Sequence, residues 1–182
     1  AGAVIGHDEG IQDGADAEDR TIDEKLKESV SLMDFWKAID ADHTNSFNRA
    51  ITYLGTTNGG FIDLPRGHIT ISSKIVVPSA GVYIRGQGVG VSAILSELDD
   101  DDWFLFYKDS VPVAGGDGWS GGGGGGYFFG GMRDLSIAST AETPTAGAAV
   151  KIKNTSLISL ERVRISGTYH GVHIENAGAT TL

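Results

Sequence analysis

The stretch "LISLERVRISGTYHGVHIENAG" (Leu157–Gly178) holds two short β-type runs, and both echo earlier segments of the 182-residue chain. Leu135 and Ile137 return as Val163 and Ile165, and Met132 returns as Leu160, each 28 residues on. Between them lie Val150 and Ile152, which return as Val172 and Ile174 at an offset of 22. Two strand positions per repeat, with unequal loops, is the signature of a coil of strands, since self-similarity at about 20–50 residues marks a solenoid. In each run one parity is apolar. The other carries Ser136, Lys151, Lys153, Arg162, Arg164 or His173, so one face packs inward and the other meets solvent or a neighbour. A twisted antiparallel sandwich shows the same alternation; the paired offsets favour the coil.

Short strand-like runs begin at Phe61: "GFIDLP", "HITISSKIVVP", "GVYIRG", "SAILSE", "WFLFYK", then "MRDLSIAS", "AAVKIKN", "LERVRISG" and "GVHIEN". Each is too short for a core helix and is rich in β-branched residues. The 27 glycines fit a β architecture with many turns. Ahead of the strands, Phe47, Ala50, Ile51 and Leu54 fall at helical spacing. They predict an amphipathic helix in residues 44–60, capped by Thr44, Asn45 or Ser46 and stopped by "TTNGG".

Residues 1–20 read as an extended acidic arm, small and glycine-punctuated. At Thr21 a capping box with Glu24 opens a short helix, with Ile22, Leu26 and Val30 forming a narrow apolar stripe. That stripe suits either a seam between identical chains or packing on its own chain. Residues 21–43 are then a short helix and neck. Net charge is −10, of which residues 1–30, with nine acids and three bases, hold −6. An acidic chain without a basic stripe points away from nucleic acid and from anionic membrane surfaces. No apolar run reaches the roughly 18 residues needed to span a bilayer, so no membrane insertion is expected. There are no cysteines, which excludes disulfides and thiolate metal sites.

Several clusters invite a chemical reading and are better explained otherwise. His7, Asp8 and Glu9 are adjacent on the arm and do not converge as metal ligands. Gly86, Gly88 and Gly90 are spaced G-x-G-x-G and lead into strand residues, which makes a tight turn rather than a dinucleotide loop. "ELDDDDW" (Glu97–Trp103) offers calcium ligands or a carboxylate pair, yet lacks the calcium-loop spacing and reads as a hydrated turn. The loop 115–131 carries six consecutive glycines, and its Trp119, Tyr127 and Phe128 suit subunit packing more than sugar stacking. His170, His173 and Glu175 lie on a strand with His170 on the opposite parity, so a helical zinc arrangement is excluded. Catalytic residues are unknown, and neither a cofactor nor a metal is expected.

"LKESVSLMDF" (Leu26–Phe35) resembles the junction that precedes the β-helix in many bacteriophage tailspike and tail-fibre proteins. The chain beyond it resembles the start of the pectate-lyase-like right-handed parallel β-helix superfamily. The matching residues are "HTNSFNRAITYL" (His43–Leu54), "NGGFIDLPRGHITISSKIVVP" (Asn58–Pro78), "GVYIRGQGVG" (Gly81–Gly90) and Leu157–Gly178; the likeness covers residues 26–182. The family usually has a glycine after the Asp-Phe pair and a Gly-Asp-Gly turn before the helix. Here Trp36, Lys37, Ala38 and Ile39 follow Phe35, and "DADHTNS" replaces the turn, so Trp36 or Ile39 is expected to cover apolar surface. The resemblance implies a mainly β fold: residues 61–182 are the first turns of a right-handed parallel β-helix capped by the 44–60 helix. It also implies a homotrimer, an arm attached to phage tail or baseplate proteins, and a place on the virion tail, outside the cell. Residues 1–182 are then the amino-terminal part of a longer chain whose distal part binds host surface polysaccharide, with its cleavage left open. Two rivals remain: a secreted pectate-lyase-like polysaccharide lyase or glycoside hydrolase, and a non-catalytic carbohydrate-binding or cell-surface repeat protein.

Overall fold

The computed structural model describes residues 28–57, 59–78, 81–107, 129–141, 143–155, 157–175 and 180–181. The arm with His7, Asp8 and Glu9 lies outside the described residues, as does most of the expected first helix, residues 21–27. So do Trp119, Tyr127 and Phe128. The described residues are mainly β. A short strand β1 (Ser29–Ser31) leads into a single 3-10 turn (Leu32–Phe35) and the helix α1 (Thr44–Thr56). Then come β2 (Gly60–Asp63), β3 (Gly67–Ile71), β4 (Ile75–Val77), β5 (Val82–Arg85), β6 (Ser92–Ser96) and β7 (Phe104–Tyr107). Five more complete the order: β8 (Gly130–Ser139), β9 (Ala148–Lys153), β10 (Ile158–Ser166), β11 (His170–Glu175) and β12 (Thr180–Thr181).

Every described strand pair is parallel. One sheet carries β1-β2-β5-β8-β10-β12, with β3 and β6 joined to it through β8; the other is β4-β7-β9-β11. Along the sequence the chain passes repeatedly from the larger sheet to the smaller and back, visiting the larger sheet with β1–β3, β5–β6, β8, β10 and β12 and the smaller with β4, β7, β9 and β11. The expected offsets are the observed registers: Met132 faces Leu160, Leu135 faces Val163 and Ile137 faces Ile165. Val150 and Ile152 face Val172 and Ile174.

Parallel pairing in register stacks like on like. Val30, Ile62, Ile84, Met132 and Leu160 form one inward column; Ile69, Ile94, Ile137 and Ile165 form another. On the second sheet Ile75, Phe104, Val150 and Val172 align, as do Val77, Phe106, Ile152 and Ile174. Removing these apolar surfaces from water drives the fold, at about 25 cal/mol per Å².

Strands β8 and β10 are long because they bend. Asp134 and Arg162 adopt left-handed backbone at φ 57° and 51° and interrupt the in-out alternation, so Met132 and Leu135 both point inward. Before the bend β8 pairs with β5; after it, with β6. Arg162, expected at a regular outward strand position, belongs instead to this stacked corner and forms two hydrogen bonds to the Asp134 carboxylate, at 2.5 and 2.9 Å.

Helix α1 buries Phe47, Ala50, Ile51 and Leu54 against β4, β2 and β5, with Phe47 edge-on to Phe104 at 5.5 Å. It satisfies a sheet edge as well as covering it. His43 N–H donates to the Thr70 carbonyl (2.9 Å) and Ser72 N–H donates to the Thr44 hydroxyl (3.1 Å). The first helical amide, at Thr44, donates to Asp42 Oδ1 (2.7 Å), so the cap lies upstream of the three expected residues. At the other end Gly59, at φ 97°, donates to the Leu54 carbonyl and stops the helix as expected.

One local expectation is corrected and another is narrowed. Val30, assigned to the stripe of a first helix, sits in β1 opposite Ile62, because the open edge of β2 offers strand hydrogen bonds that an isolated short helix cannot match. Ile39 covers nothing and is 89% exposed, whereas Trp36 packs on the His43 ring at 4.5 Å.

Candidate functional site

The outward face of the larger sheet gathers the polar chemistry. Because the registers are exact repeats, outward side chains form two adjoining columns. One runs Ser29, Phe61, Tyr83, Gly131, Ser159; the other runs Ser31, Asp63, Arg85, Arg133, Glu161. In the first, the rings of Phe61 and Tyr83 stack at 5.4 Å with a 31° tilt. In the second, Arg85 donates from Nε (2.6 Å) and Nη2 (2.8 Å) to Asp63, which also accepts from the Ser29 hydroxyl. Burial works against the ionised form of Asp63, but the hydrogen bonds from Arg85 and Ser29 prevail and hold its carboxyl below the ordinary value. The same contact raises the Arg85 guanidinium.

Gly131 breaks the aromatic column. A Cβ there would overlap the Ser159 carbonyl oxygen, so the β8–β10 contact admits only glycine. The missing side chain leaves a pocket of about 320 Å³, lined by Phe61, Tyr83, Met132, Arg133, Ser159 and Glu161. Arg133 does not pair with Glu161, its neighbour in register. Its guanidinium lies over the Phe61 ring at 4.8 Å, beside that of Arg85 at 4.6 Å. Arg133 Nε is buried and no described residue accepts from it. Glu161 accepts instead from the Ser159 hydroxyl at 2.9 Å.

The clusters noted in the sequence lie elsewhere and are structurally engaged. Gly86, Gly88 and Gly90 form the turn between β5 and β6, where Gly86 and Gly88 donate to the Arg133 and Asp134 carbonyls. A Cβ at Gly86 would overlap the Asp134 carbonyl oxygen. In the acidic turn Glu97, Asp99 and Asp100 are exposed. Asp101 binds Lys74 Nζ (2.7 and 2.8 Å), and Asp102 accepts from the Ala148 amide (3.0 Å) near Lys151. Trp103 is core, 2% exposed. The hydrated-turn reading thus holds for its tip and fails for its base, whose carboxylates clamp successive strands. His170 and His173 are exposed on β11 with rings 6.1 Å apart, while Glu175 pairs with Lys153 at 2.7 Å. Among the described residues no group of three or more His, Asp or Glu is placed to hold a metal ion.

The pocket was not foreseen from the sequence, though its signal was present. Phe61 and Tyr83, like Asp63 and Arg85, are 22 apart, and Gly131 and Ser159, like Arg133 and Glu161, are 28 apart. These are the offsets already found for the apolar residues, applied to the outward parity.

No family profile and no curated protein sequence matches the chain. Two solved structures are similar. One is ORF18 of Geobacillus virus E2, at TM-score 0.56 and 19% identity over 75% of this chain and 25% of that one. The other is the A-module of the mannuronan C-5 epimerase AlgE4 of Azotobacter vinelandii, at TM-score 0.56 and 17% identity over 82% of this chain and 41% of that one. The chain therefore spans a quarter and about two fifths of these structures. At such identities the likeness speaks for fold alone: the chain's arrangement recurs in part of a phage protein and in part of a mannuronan C-5 epimerase module.

Proposed function

We propose that this chain is a structural virion component, the amino-terminal part of a phage tailspike or tail fibre. In this reading the two sheets close into a right-handed parallel β-helix that begins under α1 and runs toward a distal region binding host surface polysaccharide. The chain's alternation between two wholly parallel sheets, plugged at its first strands by an amphipathic helix, carries the proposal. An apolar column of this kind must be covered where it begins, and α1 does so. The likeness to a phage protein supports the setting. Residues 1–20 attach to the tail or baseplate, and three copies pack side by side.

The test is the mass in solution of the full-length protein, with immunogold labelling of virions by antibody against residues 1–182. A trimer and label on the tail are expected. A monomer, or virions without label, overturns the reading.

The likeness to a mannuronan C-5 epimerase favours one alternative, a secreted polysaccharide-modifying enzyme. That reading expects a monomer which shortens or chemically alters a purified polysaccharide. The spike reading accommodates cleavage only in a trimer.

A further inference from the structure

We propose that the notch above Gly131 is a binding subsite for a single hexuronate residue of a polysaccharide, with Arg133 taking its carboxylate. The proposal rests on the reading that this protein meets polysaccharide, and adds where and by what chemistry.

Three observations carry it. The first is shape. The pocket, about 320 Å³, exists because Gly131 stands between Tyr83 and Ser159 in one outward column. The Ser159 carbonyl, which would overlap any Cβ at that position, prevents another side chain from filling it.

The second is the state of Arg133. Nearby carboxylates are already engaged: Asp63 by Arg85 and Ser29, Asp134 by Arg162, and Glu161 by the Ser159 hydroxyl. Arg133 Nε is buried without an acceptor, a cost that a ligand oxygen would relieve. The planar guanidinium fork matches a carboxylate better than a hydroxyl.

The third is the opposite wall. Beyond the one bond they share, Ser159 and Glu161 keep oxygen acceptors suited to sugar hydroxyl donors, while Phe61 and Tyr83 form the apolar surface between the two ends. A ligand with a carboxylate at one end, an apolar ring face and hydroxyls at the other satisfies every wall. A neutral hexose offers Arg133 single uncharged hydroxyl acceptors in place of the paired oxygens of a carboxylate. An acidic peptide sets a second carboxylate against Glu161.

The test is calorimetric titration of the 182-residue protein with a hexuronate tetrasaccharide and with an uncharged hexose tetrasaccharide. The hexuronate is expected to bind more tightly, and Arg133→Gln to weaken it by about tenfold or more without affecting the neutral sugar. Melting curves verify that the variant folds. Arg133→Lys, which keeps the charge and loses the fork, is the second variant and should fall between the two. Equal binding of both sugars, or of neither, overturns the subsite. So does a peptide of residues 8–19 that binds more tightly than the sugar. Hexuronate bound undiminished by Arg133→Gln also overturns it, while leaving the polysaccharide reading intact.

Discussion

Gly131 shows how much one residue decides in a column built by register. Replacing it with alanine drives a methyl into the Ser159 carbonyl from a backbone at φ 154°. We expect Gly131→Ala to lose about 3 kcal/mol, as over-packing does, measured by urea denaturation. A loss below about 0.5 kcal/mol would show that β8 and β10 separate easily. His43 is the residue to watch in acid. Burial pushes its imidazole below the ordinary value against the pull of Asp42, and its Nδ1 is buried without a partner. A depressed histidine favours folding fully above about pH 6.5, and that contribution falls away as pH drops toward the folded-state value. His43→Gln should therefore flatten the decline in stability between about pH 7 and 5, where the carboxylates remain ionised. An unchanged slope would remove His43 as its cause. Asp40 acts lower: the hydrogen bond from Arg49 holds its carboxyl below the ordinary value, so its contribution is lost only as pH falls through that depressed value.

Among the elements, α1 was the most legible in the sequence. Phe47, Ala50, Ile51 and Leu54 are its buried face, as their spacing predicts. Its neck was the least. Sequence spacing favours a helix through Val30, and only the vacant edge of β2 explains a strand there; such tertiary completion leaves no local trace. Phe47→Ala should cost about 3–5 kcal/mol, since the ring is fully buried against Phe104. Far-UV circular dichroism should show β signal retained at temperatures where the wild-type helix persists and the variant's does not. Full loss of both signals together would mean the helix and the first strands fold as one unit. The outward pocket stayed hidden for a different reason. Its six lining residues come from four strands, Phe61 to Glu161, and their proximity becomes readable only once the repeat offsets are applied to the polar parity.

For the whole molecule, the burial of successive strands sets a gradient of local stability. The inward residues Val150 and Ile152 are fully buried between β7 and β11, whereas Ile174 on the edge strand β11 is 43% exposed. Amide hydrogen exchange should be slowest in β8 and β9, which have partners on both sides, and about tenfold faster or more in β11. Equal protection in β9 and β11 would reveal a partner on the β11 edge, whether more of the same polypeptide or another subunit. The repeat that predicts the parallel order says nothing of such a partner, because the apolar parity looks the same in a covered strand and an edge strand.

Strand pairing in this fold is indifferent to what joins the strands. The connection from β7 to β8 spans residues 108–129 and that from β8 to β9 only residues 140–147, yet both feed ladders whose inward columns stay in line. Length and composition can therefore drift in the connectors without disturbing the stack. A foreign peptide spliced between β7 and β8 should leave both ladders intact, making the scaffold a natural display frame.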